Sequence, residues 1–84
     1  MFKVKANDGR NNIVGKNTKR IRLSIVPKMS QRKLANTMQL AGYDLDHPVI
    51  RRIENGQRFV TDIELIAFSD VLNVSYEELL KIEN

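Results

Sequence analysis

Chemistry in this chain is concentrated in one short stretch, His47-Pro48-Val49-Ile50-Arg51-Arg52-Ile53-Glu54, which holds the single histidine. An arginine carries a planar fork of donors that matches a phosphate or the O6/N7 edge of guanine. Ile50 and Ile53 are three apart and turn one way on a helix, so His47, Val49, Arg51 and Arg52 lie off their face. The competing reading of Arg51 and Arg52 is two solvated surface charges. A metal at His47 would need Asp44 and Asp46, and one imidazole with two turn carboxylates is a weak donor set. No metal and no cofactor are expected. Nucleophilic catalysis has little to work with, because there is no cysteine and one histidine. No glycine-rich phosphate cradle is present either, so the chain is not expected to be an enzyme.

The elements around this stretch are helical. Asn11 or Asn12 can cap a first helix whose apolar face is Val14, Ile21 and Ile25, with Thr18 between them. Lys16, Lys19, Arg20 and Arg22 form its charged face, and Pro27 ends it. Ser30 caps a second helix with Leu34, Ala35, Met38 and Ala41 inward, and Gly42 is its stop. Lys33 stands where a capping-box acid is common, so Ser30 caps alone. Asp46 caps a third helix of about ten residues, with Pro48 in its first turn and Asn55-Gly56 at its end. Thr61 and Glu64 form a capping box for a fourth, with a stripe of Ile63, Ile66, Ala67, Val71 and Leu72 and a stop at Asn73. Ser75 and Glu78 form a second box for a last helix carrying Leu79, Leu80 and Ile82. The fold class is therefore all-α, a five-helix bundle. Residues 1–12 read as a flexible basic arm, in which Phe2 and Val4 alternate with lysines, and residues 13–84 as one domain.

The chain of 84 residues has a net charge of +4, but its charge is graded. Residues 1–33 hold ten of the 14 Lys and Arg residues and one acid, Asp8; residues 61–84 hold six acids against Lys81. Such asymmetry suits one face turned to a polyanion and another turned away. A mixed, solvated surface is the plainer alternative. No apolar run approaches the ~18 residues of a membrane span, and the start is not a signal peptide. A soluble, cytoplasmic protein is expected, with no membrane partner.

Two short helices, the second opening on a capped polar turn, are what a helix-turn-helix needs, and the second helix of that motif enters the DNA major groove. Residues 13 to about 80 resemble the Cro/repressor-type helix-turn-helix family of bacterial and phage regulators, the XRE family. The resemblance is carried by Gly15-Lys16-Asn17 with Ile21-Arg22, Met29-Ser30-Gln31 with Leu34-Ala35, the run from Ile50 to Arg58, and Leu72-Asn73-Val74-Ser75 with Glu78-Leu79-Leu80. Ile53-Glu54-Asn55-Gly56 is its most specific part. It implies a lambda-repressor-like DNA-binding fold with the motif at about 30–56. It further implies that His47, Pro48 and Arg52 read bases, with Val49 and Arg51 close by, and that Gln31, Asn55, Gln57 and Arg58 meet phosphates. Glu54 would pair with a first-helix arginine, Arg22 as candidate and Arg20 as alternative. Two departures stand out. Gln39 occupies the position of the usual turn glycine, and Ile50 arrives five residues late relative to Gln31, which predicts a longer second helix and a wider turn near Gly42-Tyr43. Pro48 has no donor, and a thymine methyl is what it can contact. Tyr43 either packs on the core or sends its hydroxyl to a phosphate.

The implied function is a sequence-specific transcriptional regulator of a bacterial, phage or mobile-element operator, acting as a repressor. An antitoxin or protein-interaction adaptor on the same fold is the alternative. The expected partner is double-stranded DNA, bound by a homodimer on a palindromic site. Leu79, Leu80 and Ile82 either make the dimer contact or complete the monomer core. With no separate effector domain expected, a small-molecule effector is not.

Overall fold

The computed structural model describes residue 6 and residues 8–82. The alternation of Phe2 and Val4 with lysines lies outside them. Five helices are found among the described residues, and no strand: α1 (Val14–Ser24), α2 (Gln31–Leu40), α3 (His47–Glu54), α4 (Asp62–Leu72) and α5 (Tyr76–Leu79). The molecule is compact and all-α.

Local hydrogen bonds explain where each helix begins. Ile13 already has helical torsions, so Asn12 is the effective cap of α1: its Oδ1 accepts from the Gly15 amide at 2.7 Å. Ser30, Asp46, Thr61 and Ser75 cap the other four by accepting from the amide three residues on. At α4 the box is complete, with Glu64 accepting from the Thr61 amide. At α5 only half of the expected box forms, because the Glu78 carboxylate is taken by Arg20 at 3.1 Å. A cross-helix cation outcompetes one backbone amide for that carboxylate.

The ends of α2 and α3 share one device. Gly42 and Gly56 sit at φ +90° and +77°. Tyr43 N–H then donates back to Met38 C=O, and Gln57 N–H to Arg52 C=O, each closing a left-handed helix cap. The second helix is ten residues long and the connection to α3 runs over residues 41–46. The third helix has eight residues rather than about ten.

The core is built from α1, α2 and α3 with α4 and α5 closing it. Phe68, Leu34, Met38, Ile50, Ile53 and Leu79 are fully buried. Two expectations about facing are corrected. Ala41 is exposed, because α2 has ended at Leu40. Ile63 and Ile66 are 70% and 48% exposed, and Phe68 takes the central place in α4. That helix carries apolar residues almost all round, so periodicity cannot single out its inner face. At the C-terminal end Leu79 enters the core, whereas Leu80 and Ile82 stay exposed.

The stretch read as a free arm is partly docked. Asn11 N–H donates to Gly56 C=O and its Nδ2 to Gln57 C=O, both at 2.9 Å. Asn12 Nδ2 donates to the carbonyls of Ile53 and Arg58. Arg10 Nη2 donates to the Glu54 carbonyl. The C-terminal carbonyls of α3 have no partners within their own helix, and residues 10–12 supply donors for them.

Candidate nucleic-acid interface

The third helix is held by a hydrogen-bonded chain through three helices. Arg22, on α1, meets Glu54 in a bidentate pair, Nε to Oε2 and Nη2 to Oε1, both at 2.7 Å. The side chains are 8% and 1% exposed. Arg22 therefore belongs to the interior, not to the charged face on which its spacing placed it. The Glu54 hydrogen bond holds the guanidinium's pKa above its usual value, against the opposing effect of burial. Arg20, the alternative partner, pairs with Glu78 instead. Gln31, the first residue of α2, donates from Nε2 to Glu54 Oε1 at 3.0 Å. Its Oε1 lies 3.2 Å from His47 Nε2. An ionised carboxylate only accepts, so the amide nitrogen of Gln31 must face Glu54 and its oxygen must face His47. His47 Nε2 then carries the proton. Gln31 thus fastens both ends of α3 and turns the imidazole.

Around this brace, α3 presents its outer surface. Ile50 and Ile53 are fully buried and anchor it. Pro48, Arg51 and Arg52 are exposed, and among the described residues neither arginine is in an ion pair. Val49 is half-buried and leans on the core, so less of it faces outward than of its neighbours. These are polar or small groups on a rigid helix, which a nucleic-acid groove can admit.

In the link after α3, Arg58 has a partner within the chain. Asn55 and Gln57 are exposed. Arg58 is clasped by Glu64, with Nη1 and Nη2 each 2.8 Å from a carboxylate oxygen. Glu64 raises the Arg58 pKa, and Arg58 in turn holds the Glu64 carboxyl below its usual range. Arg58 is thus not a free cation. The pair is partly exposed, with the Arg58 side chain 35% accessible, and a phosphate would have to share it. Tyr43 is similarly committed: it packs against the core and its hydroxyl donates to Asp70 at 2.8 Å.

The basic residues of α1 and Arg10 were not placed together as a site by the sequence. A shallow cleft of about 580 Å³ is lined by Lys16, Lys19, Arg20 and Leu23 of α1, by Glu54, Asn55 and Gln57 at the end of α3, and by Arg10, which is held against that end. Lys16, Lys19, Arg20 and Leu23 follow helical spacing, so their common face was visible. That Arg10 joins them, and that α3 ends opposite, follows only from the docking of residues 10–12.

Among the described residues no three His, Asp or Glu side chains gather as a metal cage, and no helix is long and apolar enough to cross a membrane. No family model matches the chain, and no curated protein or solved structure matches it.

Proposed function

We propose that this protein is a sequence-specific DNA-binding transcriptional regulator, a repressor that works by occupying its operator. The observation that carries the reading is the braced third helix: a short helix anchored by Ile50 and Ile53, locked through Glu54 to Arg22 and Gln31, with Arg51 and Arg52 left exposed. Its resemblance to Cro/repressor-type regulators points the same way. In this reading α2 and α3 form the helix-turn-helix and α3 lies in the major groove, where Arg52 meets guanine and His47 and Pro48 reach neighbouring base edges, with Val49 and Arg51 at the margin. Asn55, Gln57 and Gln31 meet phosphates. One such helix reads a short half-site, so two chains share a palindrome, and the exposed Leu80 and Ile82 offer apolar surface for the pairing. The protein then acts in the cytoplasm of a bacterium, on a chromosomal, phage or mobile-element operator.

The test is selection of bound duplexes from a random pool, followed by anisotropy titration of the selected sequence at two salt concentrations. A consensus should emerge, and affinity should fall steeply with salt. Bound DNA indistinguishable from the input pool, with salt-independent affinity, would refute the reading. Arg52→Ala should relax preference at one position, by about 1–3 kcal/mol for a bidentate arginine–guanine pair.

A second reading, an antitoxin or protein-interaction adaptor, draws on Ile63 and Ile66, which stand exposed between Asp62 and Asp70 on α4. A partner would cover that face. Loss of a co-purifying protein on Ile63→Asp, with DNA selection unaffected, would separate this reading from the first.

A further inference from the structure

We infer that the cleft beside α1 is a second seat for the DNA backbone, gripping about two phosphates outside the stretch that α3 reads. The inference rests on the DNA-binding reading above and extends it to Arg10, Lys16, Lys19 and Arg20, to which the resemblance gives no DNA contact.

Four cations from two separate segments converge there: Arg10 from the N-terminal stretch, and Lys16, Lys19 and Arg20 from α1. The one acid in the wall, Glu54, does not quench them, because its carboxylate is 1% exposed and is already held by Arg22. Arg10 is braced in place, with Nη2 on the Glu54 carbonyl and its side chain packed across Gly56. Two of the cations have partners, Lys16 with Asp8 and Arg20 with Glu78, but all four side chains in those pairs are 41–62% exposed. Pairs of that kind are weak and exchange readily for another anion. Lys19 has no ion-pair partner among the described residues.

The shape selects a chain of anions over a single one. Lys16 and Arg20 are four residues apart, about 6 Å along the helix axis. Successive phosphates on one DNA strand rise about 3.4 Å each, so this face spans about two of them. The opposite wall is Asn55 and Gln57, the exposed link that follows the third helix. A strand passing that link would continue into the cleft without turning away. Exposed Leu23 extends the same wall and offers an apolar surface to a sugar.

The test uses the full chain and the duplex it selects, prepared at full length and with the flanks trimmed. The Lys16→Gln/Lys19→Gln variant removes two exposed charges, and its thermal unfolding is measured alongside. On the long duplex the plot of log affinity against log salt should become shallower by about 0.9 for each phosphate that the variant no longer neutralises. Sequence preference should stay as in the parent. Trimming the flanks should weaken the parent and leave the variant little changed. If the parent binds selectively but the variant matches its slope and affinity on both duplexes, the cleft is not a backbone seat and the proposal falls alone. If the parent selects no DNA, the functional reading fails and takes the proposal with it.

Discussion

Gly15→Ala sets two local effects against each other, and the structure decides between them. Alanine is favoured over glycine by about 1 kcal/mol in a helix interior and by less in the first turn, where Gly15 lies, so helix propensity alone predicts a slightly more stable protein. Tertiary packing predicts the reverse. A Cβ at Gly15 would lie 2.0 Å from the Ile53 carbonyl oxygen and 2.9 Å from Asn12 Oδ1. The nearest obstacle is backbone and cannot swing aside. Restoring an ordinary contact needs α1 and α3 to separate by about 1.4 Å, and overpacking of this kind costs about 1–3 kcal/mol. The same separation strains the two bonds by which Asn12 Nδ2 holds Ile53 and Arg58, now 3.0 and 2.7 Å. Each is worth about 1 kcal/mol. With the propensity gain subtracted, the net loss is about 2–4 kcal/mol. For a domain of this size that lowers Tm by about 10–25 °C. Circular dichroism during heating, with urea unfolding as a second measure, reads the change. A Tm equal to or above that of the parent would show that α1 and α3 are not in this close contact.

Other substitutions test the brace, the ion pairs and the core. Glu54→Gln leaves a buried Arg22 guanidinium without its counter-charge, and urea unfolding should show a loss of about 3 kcal/mol or more; a loss under about 1 kcal/mol would mean that the pair is not buried. Phe68→Ala should cost about 3–5 kcal/mol, whereas Ile63→Ala should stay within about 0.5 kcal/mol, and the reverse order would mean that α4 is rotated. The Glu64 carboxyl is held below its ordinary value of 4.5, chiefly by its hydrogen bond from Arg58. A lowered folded pKa stabilises the protein above the ordinary value, and that contribution disappears as pH falls through the folded one. Glu64→Gln should therefore flatten the fall of Tm with acid below about pH 4.5, and parallel curves for the two proteins would contradict the pairing.

The brace through Glu54 changes what a helix-turn-helix reading of α3 means. Gln31 reaches both the first and the last residue of that helix, so a change at Gln31 disturbs how the whole helix is held. A residue that looks like a phosphate contact in the sequence is here first a positioning residue for His47 and Glu54. The same holds for Arg58, whose pairing with Glu64 ties the link to the first turn of α4.

By itself the sequence determined the elements. Ser30, Asp46, Thr61 and Ser75 cap where their types and positions say they should, and Gly42 and Gly56 end α2 and α3 by adopting positive φ. These outcomes depend on hydrogen bonds within a few residues, so the information lies close by in the chain. Only tertiary structure decided which residue meets which. The choice of Arg22 over Arg20 for Glu54, the turning inward of Phe68 rather than Ile63, the clasp of Arg58 by Glu64 and the docking of Arg10 on the end of α3 each depend on what packs opposite. Arg10 and Glu54 are 44 positions apart, and no local spacing encodes such a meeting. Charge and apolar periodicity mark a residue as able to pair or to be buried, while the partner is chosen by the arrangement of the helices.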